Sequence, residues 1–173
     1  MIETSRLLLR PQRIEDFELY KAIWINDPNL SEGVQVLPGL TDEQSWDRLL
    51  RWIGHWNVFG YGPLLVIDRQ TGELVGETGV ARFHRANGPA FDGVPEALWR
   101  IKYTRHGQGL ASEAAYAALQ WYDARKISER TVCMIDHWND TSLKLAGKLG
   151  FNEFSRAIYK DSDVVLLDRI VKT

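Results

Sequence analysis

One stretch constrains this chain more than any other: His106-Gly107-Gln108-Gly109-Leu110-Ala111-Ser112-Glu113-Ala114. An apolar run, residues 97–103, leads into it, and residues 110–125 read as a helix after it. The local order is strand, glycine turn, helix. Glycine reaches left-handed backbone conformations without a Cβ penalty, so the chain can curl until several N–H groups aim at one point. The first N–H groups of a helix lack partners within it and sit at the positive end of its dipole. The combination reads as a cradle for a phosphate or diphosphate, and equally as a bend that caps a helix.

Two nucleotide-binding readings fail on position and spacing. A dinucleotide fold puts its glycine turn after the first strand and follows it with regular βαβ alternation. Here the turn lies past the midpoint, and the third glycine of G-x-G-x-x-G is replaced by Ser112. No Gly-Lys-Ser/Thr follows, so the P-loop pattern fails too.

The bulk numbers narrow the class. A chain of 173 residues fits one domain, 1–173, and folding at this size buries about 70% of the unfolded surface. A net charge of −2 gives no global pull toward nucleic acid or membrane. No apolar run approaches the ~18 residues of a membrane span, and the N-terminus has no signal-peptide pattern. A cytoplasmic protein is expected. Cys133, the single cysteine, sits in an apolar run and reads as a core residue. The four histidines share no ligand spacing, so no metal site is expected.

The pattern along the chain gives the element order. Residues 7–10 read as a strand stopped by Pro11, and residues 14–26 as a helix ended by Asn26-Asp27-Pro28. Residues 27–40 read as a loop. Thr41-Asp42-Glu43-Gln44 is a capping box opening a second helix, which Gly60 ends. Residues 64–68 and 73–83 form a hairpin around 69–72. Gly76 and Gly79 within its second strand imply a bulge or a close backbone contact. Residues 85–95 are a loop. After the glycine turn and its helix come a strand at 130–136, a short helix behind Asn139, and a terminal hairpin, 153–159 with 164–170. This is one α/β domain with a mixed sheet.

Three segments resemble the GNAT superfamily of acyl-CoA-dependent N-acetyltransferases, above all its ribosomal-protein N-terminal (Rim-like) branch. Glu3-Thr4-Ser5-Arg6-Leu7-Leu8-Leu9-Arg10-Pro11, with Glu15-Asp16 after it, is similar to that branch's "ETxRLxLRP" opening. The HGQGLASEA stretch is similar to its "WGKGYATEA" loop. Asn139, Ser142 and Lys148-Leu149-Gly150-Phe151 follow its "NxxSxxxxxKLGF" spacing. The resemblance implies a predominantly antiparallel sheet, splayed at the coenzyme A site and flanked by about four helices.

It also implies that the anion is the diphosphate of acetyl-CoA. His106, Gly107, Gln108, Gly109, Leu110, Ala111 and Ser112 would hold it, with Arg105 an alternative source of charge where the branch often has Trp in place of His106. The edge of the strand at Ile101, Lys102 and Tyr103 would pair with the pantetheine amides, as an added strand does. Asn139 would bond the pantetheine or cap its helix. Many family members place a Tyr acid where this chain has Ala146, so that mechanism is excluded.

Acetyl transfer to an amine needs a neutral nucleophile. An α-amino group has a pKa of about 8 and a lysine amine about 10.4, so a base or water chain must remove a proton. Glu96 stands where the branch often has a Glu at the start of this strand and is the first candidate. Glu77, between two glycines, is the second, against a reading as a solvent-facing strand residue. Ser142 is the candidate partner of the thiolate, against a reading as a helix first-turn serine. The oxyanion donor is expected to be backbone N–H near Lys102 or Tyr103.

The acceptor is a primary amine, on a protein N-terminus or a small molecule. Its side is expected between residues 24 and 56 and at loop 84–95. Four tryptophans there, Trp24, Trp46, Trp52 and Trp56, suggest an aromatic-lined cleft; Asp27, Glu32 and Asp42 could attract an ammonium. Homodimers are common in the family. Two alternatives remain: a non-catalytic acyl-CoA-binding or regulatory domain of the same fold, and a plain α/β interaction module.

Overall fold

The computed structural model describes residues 1–25 and 40–171. The chain begins with a two-residue strand, β1 (Ile2–Glu3), which the sequence did not suggest, then β2 (Leu7–Arg10). A 3-10 turn at Ile14–Asp16 leads into α1 (Phe17–Ile25). The helix end expected at 26–28, the loop at 27–40 apart from Leu40, and the acidic pair Asp27 and Glu32 lie outside the described residues.

The capping box forms as read. Gln44 N donates to Thr41 Oγ1 (3.2 Å) and Thr41 N to Gln44 Oε1 (3.0 Å), opening α2 (Asp42–Phe59). Gly60, at φ +70°, ends it in the left-handed conformation that glycine adopts without strain.

The hairpin is β3 (Pro63–Asp68) and β4 (Leu74–Ala81). Both glycines of β4 are sterically required, and the register shift opposite Val66/Ile67 makes the bulge. A Cβ at Gly76 would strike the Arg100 carbonyl, and one at Gly79 would lie 2.7 Å from the Gly62 carbonyl. Then come β5 (Glu96–Ile101), α3 (Leu110–Asp123), β6 (Arg130–Asp136), α4 (Asp140–Lys148), β7 (Asn152–Tyr159) and β8 (Ser162–Ile170).

All the described strands join one sheet, in the order β1-β2-β3-β4-β5-β6-β8-β7. Neighbours are antiparallel except β5 and β6, which run parallel. That pair meets at a single step, Glu96 opposite Val132, with Val132 N donating to Pro95 O (2.9 Å). Beyond it the two strands diverge. The expected splayed, mainly antiparallel sheet with four α-helices is what the described residues show.

Apolar alternation along the strands divides the core. Leu64, Val66, Val75 and Ile101 face α3 through Leu110, Ala114 and Ala118. On the opposite face, Leu65, Leu74 and Ala81 pack against Tyr20 and Ile23 of α1 and Leu49 and Trp52 of α2. Past the divergence, Cys133, Ile135, Val165 and Leu167 pack with Tyr122, Ala146 and Phe151. Ala146 is fully buried there, so a tyrosine at this position would overpack the core.

Candidate active site

The glycine turn has the backbone that its composition implies. Gly107 (φ +73°) and Gly109 (φ +74°) are both left-handed, and Gly109 is the N-cap of α3. No cap side chain covers that helix start, which leaves its first N–H groups for an anion. Residues 106–109 are exposed.

Arg105 is committed elsewhere. Its guanidinium pairs with Asp68 and with Glu73 (2.6 Å), and the contact holds the Asp68 carboxyl below its usual range. The positive charge at this loop is therefore already neutralised. His106 places Nε2 2.9 Å from the Ile101 carbonyl, which it bonds as donor.

The strand edge offered to a ligand differs from expectation. β5 ends at Ile101; Tyr103 lies in a 3-10 turn (Tyr103–Arg105), and Lys102 N donates back to Val75 O of β4 (2.8 Å). Lys102 and Tyr103 thus do not extend the open edge, and Lys102 N is not available as an oxyanion donor. Peptide groups alternate sides along a strand. With Pro95 O facing β6 and Lys102 N facing β4, those of Ala97, Trp99 and Ile101 face the gap. The Ile101 carbonyl is taken by His106, which leaves Trp99 at the middle of the free edge.

Between β5 and β6 the divergence forms a cleft of about 210 Å³. Glu96, Trp99, Cys133, Asn139 and Ser142 are among its walls, so the two predicted catalytic residues share one cavity with Asn139. The Asn139 side chain caps α4, its Oδ1 accepting from Ser142 N (3.1 Å). Its amide nitrogen and the Ser142 hydroxyl make no hydrogen bond among the described residues. Cys133 is buried, and burial pushes its thiol well up, which keeps it protonated.

Glu96 is buried and held by a residue that the sequence reading missed. Arg85, from the loop after β4, grips both carboxylate oxygens: Nη2 to Oε1 at 2.7 Å and Nε to Oε2 at 3.0 Å. Its guanidinium carbon lies 4.0 Å from the Phe83 ring centroid, and Nη1 donates to the Tyr159 hydroxyl (3.1 Å). Burial raises the Glu96 carboxyl above its usual value; the Arg85 guanidinium opposes that without reversing it. No local signal marks Arg85. It is one arginine in a polar loop, and only the sheet brings it to Glu96.

Glu77 is fully buried rather than solvent-facing. It accepts from Gln12 Nε2, Tyr20 OH and Arg48 Nη2, each at 3.0 Å, on the face covered by α1 and α2. Those bonds make it an anchor for the two helices. The tryptophans of α2 are likewise structural. Trp52 is core, and Trp56 donates to Pro63 O (2.7 Å) and packs on Trp121. Trp46 packs edge-on against Phe17, and Asp42 pairs with Lys21 (2.9 Å). None of these lines the β5–β6 cleft, whose tryptophan is Trp99. The Trp24 side chain lies outside what is described.

The glycine-capped helix, the parallel pair that parts after one step, and the cleft it leaves together define an acyl-CoA-type transferase fold. The chain belongs to the acetyltransferase (GNAT) domain family, which it matches over residues 6–152. Among its relatives is YkkB of Bacillus subtilis (strain 168), an uncharacterized protein. It is 28% identical over 159 residues, covering 91% of this chain and 87% of YkkB. A solved structure from Bordetella pertussis, assigned to the GnaT-family acetyltransferases, is 33% identical with a TM-score of 0.86. The match covers 97% of this chain and 98% of that one. RimL, a ribosomal alpha-N-protein acetyltransferase in complex with coenzyme A through a disulfide to a cysteine, shares the fold. Its TM-score is 0.71 at 17% identity, over 97% of this chain and 96% of RimL.

Proposed function

We propose that this chain moves the acetyl group of acetyl-CoA to a primary amine by direct attack within a ternary complex. The observation that carries this reading is the shared cleft. Glu96 and Ser142 line one cavity, at the gap where β5 leaves β6.

The residues present fit the donor. The two left-handed glycines and the uncapped start of α3 suit a diphosphate, and the open edge at Trp99 suits an amide-bearing arm. Glu96 takes the proton from the incoming ammonium. The amine nitrogen then bonds to the thioester carbon, whose oxygen gains negative charge next to backbone N–H of the β5 edge. As the carbon–sulfur bond breaks, the electron pair goes to sulfur; the Ser142 hydroxyl hydrogen-bonds the thiolate, which takes up the second proton as the amide nitrogen sheds it. The products are an N-acetyl amide and coenzyme A. Rim-like relatives point to protein N-termini as acceptors, and small-molecule amines remain within the same chemistry. A cytoplasmic setting goes with this donor.

The test is thiol release from acetyl-CoA across a panel of amines and N-terminal peptides. Turnover that falls about 10²-fold or more in Glu96→Gln supports the reading. Full turnover in that variant across pH removes Glu96 as the base. Tight acetyl-CoA binding with no release for any amine would mark a non-catalytic acyl-CoA-binding domain instead.

A further inference from the structure

The N-terminal Thr4-Ser5-Arg6 segment has no part in the chemistry above, yet it reaches across the sheet edge to the glycine turn. The Glu113 carboxylate, in the first turns of α3, accepts from Thr4 Oγ1 (2.6 Å), Ser5 Oγ (3.1 Å), Arg6 N (3.0 Å) and Arg6 Nε (2.7 Å). Arg6 Nη2 lies 2.6 Å from the same carboxylate. The remaining arm of the fork, Nη1, donates to the Gln108 carbonyl at 2.8 Å.

Two consequences follow from elementary geometry and charge. A trans peptide sets its C=O and N–H on opposite sides. Fixing the Gln108 carbonyl on Arg6 therefore turns the Gly109 N–H away from Arg6, toward the side where a diphosphate would lie. A bare carboxylate at the start of α3 would also repel that diphosphate, and Arg6 neutralises it at contact distance. Lysine supplies the charge but not the planar fork that reaches carbonyl and carboxylate together.

We propose that Arg6 is a positioning residue for acyl-CoA, holding the Gln108–Gly109 peptide and the Glu113 carboxylate from behind so that the glycine turn presents its N–H groups to the diphosphate. The inference rests on reading residues 106–112 as the diphosphate cradle.

The experiment compares two probes on the intact chain. One is coenzyme A, titrated by calorimetry. The other is pantetheine, the same thiol arm without the diphosphate and the phosphoadenosine beyond it, titrated by ligand-observed NMR. For Arg6→Gln the Kd for coenzyme A is expected to rise about 10-fold (~1.4 kcal/mol), with the pantetheine Kd unchanged within about 2-fold. Arg6→Lys is expected to stay several-fold weak for coenzyme A. The control is Arg69→Gln, which removes the bond to Thr4 O (2.6 Å) from the same segment without touching the turn. It should leave both Kd values in place.

Equal weakening of both probes would reduce Arg6 to a structural role and overturn the inference. Full recovery by Lys would reduce it to plain charge and do the same. An unchanged coenzyme A Kd in Arg6→Gln also sinks it. If the wild-type chain shows no preference for coenzyme A over pantetheine, the cradle reading itself fails. Should Arg6→Gln not fold, Arg6→Lys carries the same comparison.

Discussion

Arg85 and Glu96 form a two-point ion pair with both partners largely withdrawn from water, side chains 21% and 5% exposed. The pair sits where β5 begins to leave β6, at the wall of the cleft. Burial favours the neutral acid, and the guanidinium favours the carboxylate. Net, the carboxyl lies above its usual value, the direction that suits a base working near neutrality.

Removing Arg85 leaves burial unopposed. In Arg85→Gln the acid limb of the pH–rate profile should move to higher pH, with the plateau above it less affected than in Glu96→Gln. The measurement is kcat/KM against pH for both variants. A limb that stays in place, or moves down, would show that the rate does not report Glu96.

Glu77 should matter for stability rather than rate. Glu77→Gln takes the charge from a fully buried carboxylate that accepts from Gln12, Tyr20 and Arg48, and weakening hydrogen bonds to a buried charged group costs about 3 kcal/mol. For a chain of this size that corresponds to a Tm drop on the order of 10 °C. Replacing both, as Glu77→Leu with Arg48→Met, should recover part of the loss in a melting experiment.

His55 predicts an acid-sensitive fold. Its Nδ1–H donates to Tyr61 O (2.7 Å), and Nε2 accepts from Arg82 N (2.9 Å), an arrangement open only to the neutral ring. Burial pushes its pKa below the ordinary 6.5. The unfolded chain therefore takes up the proton first as pH falls. The stabilisation is complete above about pH 6.5 and is lost as pH drops through the lower folded-state value. Urea midpoints at pH 8 and pH 5 should differ more for the native chain than for His55→Leu.

Asn139 allows cap and ligand contact to be separated. Asn139→Ala should cost about 1 kcal/mol through loss of the bond to Ser142 N. Asn139→Asp keeps that acceptor and so keeps the melting temperature. It replaces the amide donor facing the cleft, so weaker acetyl-CoA binding in Asn139→Asp at unchanged Tm would identify a ligand contact. Unchanged binding would leave Asn139 as a cap alone.

Local features were legible from the sequence because their causes are local. Thr41 and Gln44 cap within four residues, and Gly107 and Gly109 take the positive φ that their composition implies. What the sequence could not show depends on which strands are neighbours. Arg85 finds Glu96, Arg48 finds Glu77 and Arg6 finds Glu113 across sheet and helix, with nothing in the spacing to pair them. The end of β5 is not legible because Tyr103, two residues past Ile101, continues the alternation of a strand. The ladder nevertheless stops where Lys102 N turns to Val75. The tryptophans of α2 misled for a related reason. Aromatic content marks burial as readily as a cleft, and Trp52 and Trp56 serve the core.

The single step joining β5 to β6 makes the sheet two blocks joined by one backbone rung and by one shared apolar cluster, which holds Val80 and Ala97 with Cys133 and Val165. A strand-like ligand in the gap would be a replaceable building part, adding main-chain bonds along the open β5 edge. Its concentration would then raise the stability of the fold, because a ligand that binds only the folded chain stabilises it by RT ln(1 + [L]/Kd). On this view the acyl donor also serves as a removable ninth strand, and melting behaviour would track the supply of substrate.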